Sequence, residues 1–536
     1  MANASPALHS TEAASLRLTH LTLLGLLVAA GIALVLRCPR LDARPMHNDE
    51  AVNAIKFGQL LEAGTYRYDP NEYHGPTLHY ATLLLAKLSR APDFPHFTEK
   101  RLRTLTVLFG LGLVLVLPLT ADGLGRRATI CAALFTAVSP AFVFYSRYYI
   151  HEILLVFFTF LTLAAGWRYW RSRKVGWALL AGAGFGLMHA TKETFVITLA
   201  AAGMALALNQ IWNRLLDASG LPLPAPRINW RHLVAAFGVW LLVVIVLFSS
   251  FFTNLNGPLD SIRTYSHWLH RAGGDSEHIQ PWYFYFQRLL WFHAGKGPAW
   301  TEAFIVILAI PGAATGFIRK NLGRSNASFV RFLVLYTVML VGAYTVIGYK
   351  TPWCLLSFWH GMILLAGLGA ASLSRKARQV HTKTMFIILL LSGAAYLVWQ
   401  AVQLSIPFAA DQRNPYIYAQ TSRDIIRLSD RVKALSRASR EGLGTVTKVL
   451  SYGGDYWPLP WYLREFKNVG WWDEIPPDPF APIMIVSAKF NAGLDEKRTH
   501  LMVGIFELRP QVFLELYVGM DLWRAYLANK PPERDE

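Results

Sequence analysis

Residues 18–50 read LTHLTLLGLLVAAGIALVLRCPRLDARPMHNDE. From Leu18 to Leu36 there is no Asp, Glu, Lys or Arg. About 20 apolar residues are needed for a helix to cross ~30 Å of hydrocarbon, so this stretch predicts a membrane span. It is long for a signal-peptide core and no small-residue cleavage site follows it, so it is read as uncleaved. Directly behind it stand His47-Asn48-Asp49-Glu50, two acids at the edge of the bilayer. Whether the chain is a membrane protein with a charged site at one face depends on how often this pairing recurs.

It recurs along the first 404 residues. Apolar stretches follow at Leu102–Ala121, Ala128–Phe144, Ile150–Trp167, Val175–His189, Phe195–Trp212 and Leu233–Phe252. Four more lie at Ala303–Phe317, Phe329–Ile347, Trp353–Leu373 and Met385–Leu404, for about eleven spans in all. Composition agrees: of 536 residues, 53% are hydrophobic and only 16% charged, against about a quarter charged in ordinary soluble chains. The 52 basic and 34 acidic residues leave a net charge of +18. In so apolar a chain this excess belongs to loops between spans rather than to nucleic-acid binding. Cys38, Cys131 and Cys354 are too scattered for a disulfide framework or a metal knuckle.

Basic residues alternate. Arg126-Arg127, then Arg168, Arg171, Arg173 and Lys174, then Arg214, Arg227 and Arg231, Arg319, Lys320 and Arg324, and finally Arg375, Lys376 and Arg378 follow every second span. The positive-inside rule makes their side cytoplasmic. Residues 37–101, 253–300 and everything after about 405 then face outward. In the first outside loop, residues 49–62 have the spacing of an amphipathic helix, with Asn48 or Asp49 as its cap and Gly64 as its stop. Tyr73-His74-Gly75-Pro76 opens a second apolar helix over 76–90, with proline at its first position. Both would lie along the membrane surface. Residues 405–536 change character. Strands are predicted at 446–451, 483–487, 502–508 and 512–517, and helices at 424–435 and 460–466, which makes a small soluble α/β domain after the 1–404 membrane domain. The aromatics Trp457, Trp461, Tyr462, Trp471 and Trp472 read as core, as a membrane belt, or as a sugar-stacking platform.

Ionisable groups at membrane depth are costly and default to function. Asp49 and Glu50 can serve a helix start through the macrodipole, or can accept a proton from an attacking hydroxyl. Arg147 and His151, four apart, would share a helix face. As a span end they snorkel. As a site, Arg147 offers a planar fork to phosphate, while His151 and Glu152 assist or join Asp49 around a divalent cation. Lys192 and Glu193 pair with one another or reach a ligand, and Lys350 is an interface anchor or an anion contact. All of these sit in the outward connections, so they can converge on one cavity.

In order and sidedness, the stretches Asp49-Glu50, His74–Leu78, Tyr145–Glu152, Thr191–Glu193 and Tyr349–Trp353 resemble those of GT-C type integral membrane glycosyltransferases. That clan includes the protein O-mannosyltransferases and aminoarabinose transferases, and the chain is most similar to the prokaryotic flippase-activity-associated glycosyltransferases. The resemblance implies a polytopic all-α membrane fold and inverting transfer from a polyprenyl-phosphate-linked sugar, outside the cytoplasmic (inner) membrane, to a protein, glycan or lipid acceptor. Asp49 and Glu50 would be the catalytic carboxylates. Arg147, Lys192 and Lys350 would hold the leaving phosphate. His74, His151, Glu152 and Glu193 would shape the sugar and acceptor pocket. It implies no nucleic-acid partner, and it leaves metal dependence open. A transporter or flippase of lipid-linked sugars is the rival reading, but transport needs charged groups reachable from both faces, and the inside loops lack the acidic partners found outside.

The alternation carries its own test. Lys174→Cys is expected to resist an impermeant thiol reagent in intact cells and to react once the membrane is opened. Labelling in intact cells would invert the sidedness.

Overall fold

The computed structural model describes residues 19–71, 74–91, 93–215, 229–273, 278–318, 322–495 and 498–529. Leu18, Tyr73, Arg227, Arg319 and Lys320 lie outside the described residues. Among the described residues, eight helices are long and apolar enough to cross a membrane: His20–Arg37, Glu99–Leu124, Glu152–Ser172, Phe195–Arg214, Trp230–Phe248, Ala327–Val346, Pro352–Lys376 and Val380–Ser405. A ninth span is broken, Arg126–Val138 meeting Pro140–Ser146 at 58°. The two remaining apolar stretches form shorter helices, Val175–His189 and Ala303–Ile318. The protein is therefore a multi-pass membrane protein with every apolar stretch of the sequence in a helix.

Pro352–Lys376 is the axis of the bundle, 83% buried over its most apolar window, whereas Trp230–Phe248 is 11% buried and lies at the rim. Small residues let the axis take neighbours closely, as packing between membrane helices requires. A Cβ on Gly369 would overlap the Leu308 carbonyl, and one on Gly312 would overlap that of Leu365.

The break in the ninth span has a local cause. Pro140 has no N–H and biases Ser139 away from the helical region, and Ser139 sits at φ −56°, ψ 120°. The groups freed there meet one buried carboxylate. Glu302 accepts from Ser139 Oγ at 2.6 Å and from the Ala141 amide at 2.9 Å. Trp359 Nε1 at 3.2 Å and the Tyr416 hydroxyl at 2.5 Å complete its shell.

Both surface helices form, with shifted starts. The first spans Asn48–Ala63, and its cap is His47 rather than Asn48 or Asp49. The His47 ring accepts from the Asp49 amide while the Glu50 carboxylate accepts from the His47 amide. This reciprocal capping box leaves Asn48 as the first helical residue, and Gly64 closes the helix at φ 71°. The second runs Thr77–Leu88, with Pro76 as its cap rather than its first residue.

After Ser405 comes a five-stranded sheet: β1 (Thr447–Leu450), β2 (Val469–Trp472), β3 (Ile483–Ser487), β4 (His500–Arg509) and β5 (Val512–Gly519), in the order β2-β1-β3-β5-β4. β1 runs parallel to both β2 and β3, while β5 is antiparallel to β3 and β4. β3 is buried along its whole length, as a central strand covered on both faces should be. Helix Asp424–Ala438 supplies part of that cover, burying Ile425, Leu428, Val432 and Leu435 at helical spacing. β2 was not foreseen, because its Trp471-Trp472 pair reads as aromatic surface rather than strand. The helix foreseen at 460–466 is a single turn, Leu459–Tyr462. This part docks on the helices through Trp461 Nε1 to Glu99 (2.7 Å), the Met46 amide to the Tyr462 hydroxyl (2.9 Å) and Thr421 Oγ1 to the Met46 carbonyl (2.8 Å). Trp461 and Tyr462 are thus core and docking contacts.

Because two backbones touch at Gly369, Gly369→Val is expected to force the helices apart, at a cost of about 1–3 kcal/mol or more. Thermal unfolding of the detergent-purified variant checks this. An unchanged melting temperature would mean that the contact is looser than described.

Candidate functional site

Ends of several spans, the connections between them and the helix Asn48–Ala63 enclose a cavity of about 560 Å³. Its wall contains Asp49, His74, His151, Glu152, Lys192 and Glu193. Three sequence-distant stretches are locked together to make it. Thr77 donates to the Ala190 carbonyl through both its amide (3.0 Å) and its hydroxyl (2.6 Å). Gly75 permits the approach, since a Cβ there would overlap the same carbonyl. His151 Nε2 lies 3.1 Å from the Gly75 carbonyl, which ties in the third stretch.

The carboxylates have different environments. Asp49 projects from the first turn of its helix with its side chain 46% exposed, and among the described residues the only basic group within 4 Å is His47, at 3.9 Å. Glu152 is buried and ion-paired with Lys192. Burial alone would lower the Lys192 pKa, but the Glu152 charge outweighs it and raises it, so Lys192 is a cation at neutral pH. An ammonium has three donors, and Glu152 takes one of them. Glu193 accepts from His74 Nδ1 at 2.8 Å and from the Tyr68 hydroxyl at 3.4 Å. Burial opposes its charge, and the neighbouring His74 overcomes this and lowers its pKa. Burial also holds His151 well below the ordinary histidine range. A neutral ring that donates from Nε2 to Gly75 has an acceptor at Nδ1, and that atom is buried without a hydrogen-bond partner.

Three residues read as site residues lie elsewhere. Glu50 is fully buried and does not line the cavity. Its Oε1 accepts from Arg44 Nη2 (2.9 Å), Arg103 Nε (2.8 Å) and the Tyr149 amide (2.8 Å), and its Oε2 accepts from Arg103 Nη2 (2.8 Å) and the His47 amide (3.0 Å). Burial would raise its pKa, but the two guanidiniums hold it well below the carboxylate range. Every lone pair is engaged, so the geometry makes it a frame residue rather than a base. Arg147 is buried with its donors on the carbonyls of Arg37 (2.8 Å), Pro39 (2.6 Å), Arg40 (3.1 Å) and Ser405 (3.4 Å), which leaves no fork for a phosphate. Lys350 is buried behind the wall, its ammonium on the carbonyls of Gln280 (3.3 Å) and Ile347. Its neighbours Tyr349, Thr351 and Trp353 line the cavity instead.

The aromatic wall was also missed. Tyr265 and Trp268 reach the cavity from helix Gly257–Gly273, and His74 stacks on Trp268 with centroids 5.3 Å apart and planes at 17°. Their i, i+3 spacing in the connection 253–300 was the available signal. Val196, Ile197, Tyr344 and Ile347 bring the cavity to the membrane-facing ends of Phe195–Arg214 and Ala327–Val346. Among the described residues no group of three or more His, Cys, Asp and Glu side chains could share a metal ion.

Residues 85–254 match the family described as dolichyl-phosphate-mannose-protein mannosyltransferase. No curated protein matches the sequence. Among solved structures, the chain is similar to ArnT from Cupriavidus metallidurans bound to undecaprenyl phosphate. Identity is 15%, coverage is 94% of this chain and 98% of that one, and the TM-score is 0.59. It is also similar to the Archaeoglobus fulgidus oligosaccharyltransferase tethered with an acceptor peptide, at 12% identity, 84% and 64% coverage, and a TM-score of 0.54. The fold is that of the GT-C membrane glycosyltransferases, as the motifs implied.

Removing one partner of a buried ion pair typically costs about 3–5 kcal/mol. Glu50→Ala is therefore expected to lose stability on that scale in thermal unfolding. The wild type should lose the same contribution as pH falls from about 4.5 toward the lowered folded value. A fully stable Glu50→Ala protein would free Glu50 for chemistry.

Proposed function

We propose that the protein is an inverting glycosyltransferase that uses a polyprenyl-phosphate-linked sugar, with its active site in the cavity around Asp49. The observation that carries this reading is the contrast among the charged groups of the site. Glu50 and Glu302 are saturated with donors and Glu152 and Glu193 are paired, whereas Asp49 stands half exposed in the cavity wall.

In this reading the acceptor hydroxyl gives its proton to Asp49 while its oxygen bonds to the anomeric carbon. The carbon–oxygen bond to the phosphate breaks on the opposite face, and polyprenyl phosphate leaves with the electron pair. A single displacement inverts the anomeric configuration. Lys192 offers its remaining donors to the leaving phosphate, whose negative charge grows in the transition state. His151 Nδ1 can accept from a sugar hydroxyl, and the Trp268–His74 stack offers the ring an aromatic face. The lipid would approach between Phe195–Arg214 and Ala327–Val346, where apolar side chains line the cavity. The basic ends of the spans, such as Arg171 and Arg375, lie at the opposite end of their helices from the cavity, which supports a cavity on the outer face of the cytoplasmic membrane. The acceptor is a protein, glycan or lipid hydroxyl.

Since His47 caps the helix, Asp49→Asn removes only the charge. It is expected to fold normally and to lose about 10²-fold or more in turnover, the scale of general-base loss. Release of polyprenyl phosphate from a lipid-linked sugar donor measures this. Full activity in the folded variant would exclude Asp49 as the base.

A further inference from the structure

A second cavity, of about 520 Å³, lies where the segment after Ser405 meets the β4–β5 turn. Its lining mixes the polar side chains of Gln412, Gln420, Arg423 and Glu507 with Tyr418 and apolar residues such as Ile417 and Pro510. Gln420 is only 4% exposed. Its Oε1 accepts from the Tyr148 hydroxyl at 2.6 Å, yet its Nε2 is buried without a hydrogen-bond partner. An unmade bond on a buried amide costs about 1–3 kcal/mol, and a ligand that accepts from it would recover that.

We infer that this cavity is a binding site for a hydroxyl-rich glycan. A sugar hydroxyl both donates and accepts. Carboxylates, which accept only, and amides, which do both, are its natural counterparts. Glu507 supplies the first, Gln412 and Gln420 the second, and Tyr418 adds a ring, while the Asp411 carboxylate is taken by Arg413 at 2.8 and 2.6 Å. A peptide would instead draw on backbone groups, and four of those here are engaged. The Ser422 amide donates to the Leu508 carbonyl (2.9 Å), the Ile417 amide to Asn414 (3.4 Å) and the Glu507 amide to Asp424 (3.3 Å), while the Tyr418 carbonyl meets His47 Nε2 at 2.8 Å.

Tyr418 is also the partition from the first cavity. Its hydroxyl is 2.5 Å from His278 Nδ1 and its ring centroid 6.2 Å from that of Trp353, and both of those residues line the first cavity. The His47 that meets its carbonyl is the cap of the Asp49 helix.

The test is saturation-transfer NMR on the full-length protein in detergent, with a mixture of maltotetraose, cellotetraose and mannotetraose as probe. Wild type should give transfer to the saccharides. Gln420→Glu keeps the acceptor for Tyr148 and removes the amide donors, and it should weaken saccharide binding at least tenfold. Glu507→Gln, on the half-buried strand, is a second variant that does not disturb Tyr148 and should weaken binding similarly. Asp49→Asn should keep the signal, because it alters only the other cavity. No saccharide signal, a signal unchanged in both lining variants, or binding of a Ser/Thr-rich peptide instead would overturn the assignment. Saccharide binding that depends on Gln420, in a protein that releases no polyprenyl phosphate from lipid-linked donors, would support this site and sink the transferase reading. Asp49-dependent donor turnover without saccharide binding would do the reverse.

Discussion

The Glu50 carboxylate holds together the part of the molecule on which any chemistry depends. It is fully buried, and five donors reach it from four places in the chain: Arg44 in the first connection, the His47 cap, Arg103 in the second span and the Tyr149 amide ahead of the third long span. An unpaired charge in that position would be prohibitive. Because the donors come from four places in the chain, satisfying the charge also fixes those places to one another. Asp49 is the adjacent residue in the same helical turn, so its position is set by a network in which it takes no part.

Glu302 repeats the device deeper in the bundle. The Pro140 break would otherwise leave backbone groups without partners next to lipid, a situation membranes tolerate only where protein re-satisfies them. Glu302 does so and also takes the hydroxyl of Tyr416. Tyr416 lies two residues from Tyr418, and its carbonyl accepts from the Tyr145 hydroxyl at 2.7 Å. The partition between the cavities is therefore anchored in the same frame as the helix break, and the segment after Ser405 is part of the site's architecture rather than a tethered appendage.

Much of this was legible in the sequence. Apolar length alone placed every span, because in a bilayer the backbone has almost no alternative to helix. The surface helices were readable from their spacing, though His47 was not foreseen as a cap, since histidine is not among the favoured capping residues. The convergence of His74, His151, Glu152, Lys192 and Glu193 followed from their common side. What could not be read was which charges are neutralised by others. Glu50 and Arg147 have the same residue chemistry as Asp49 and Lys192, and only the fold reveals that Arg147 is consumed by four carbonyls. The tail was hardest, because β2 is four residues with no alternation and depends on its pairing with β1.

Satisfaction, more than residue type, separates frame from site in a low-dielectric interior. A buried polar group with every bond made is rigid and has no capacity for a ligand, and one left short carries a cost that binding can remove. By that measure Glu50, Arg147 and Glu302 belong to the frame. Among the described residues, the groups at the two cavities with capacity left include the half-exposed carboxylate of Asp49, Nδ1 of His151, the donors of Lys192 that Glu152 does not take, and Nε2 of Gln420. The first three surround one cavity and the fourth lines the other, with Tyr418 in contact with the walls of both. Unmet hydrogen-bonding capacity thus lies on both sides of one side chain, so a ligand held in one cavity leaves the other free.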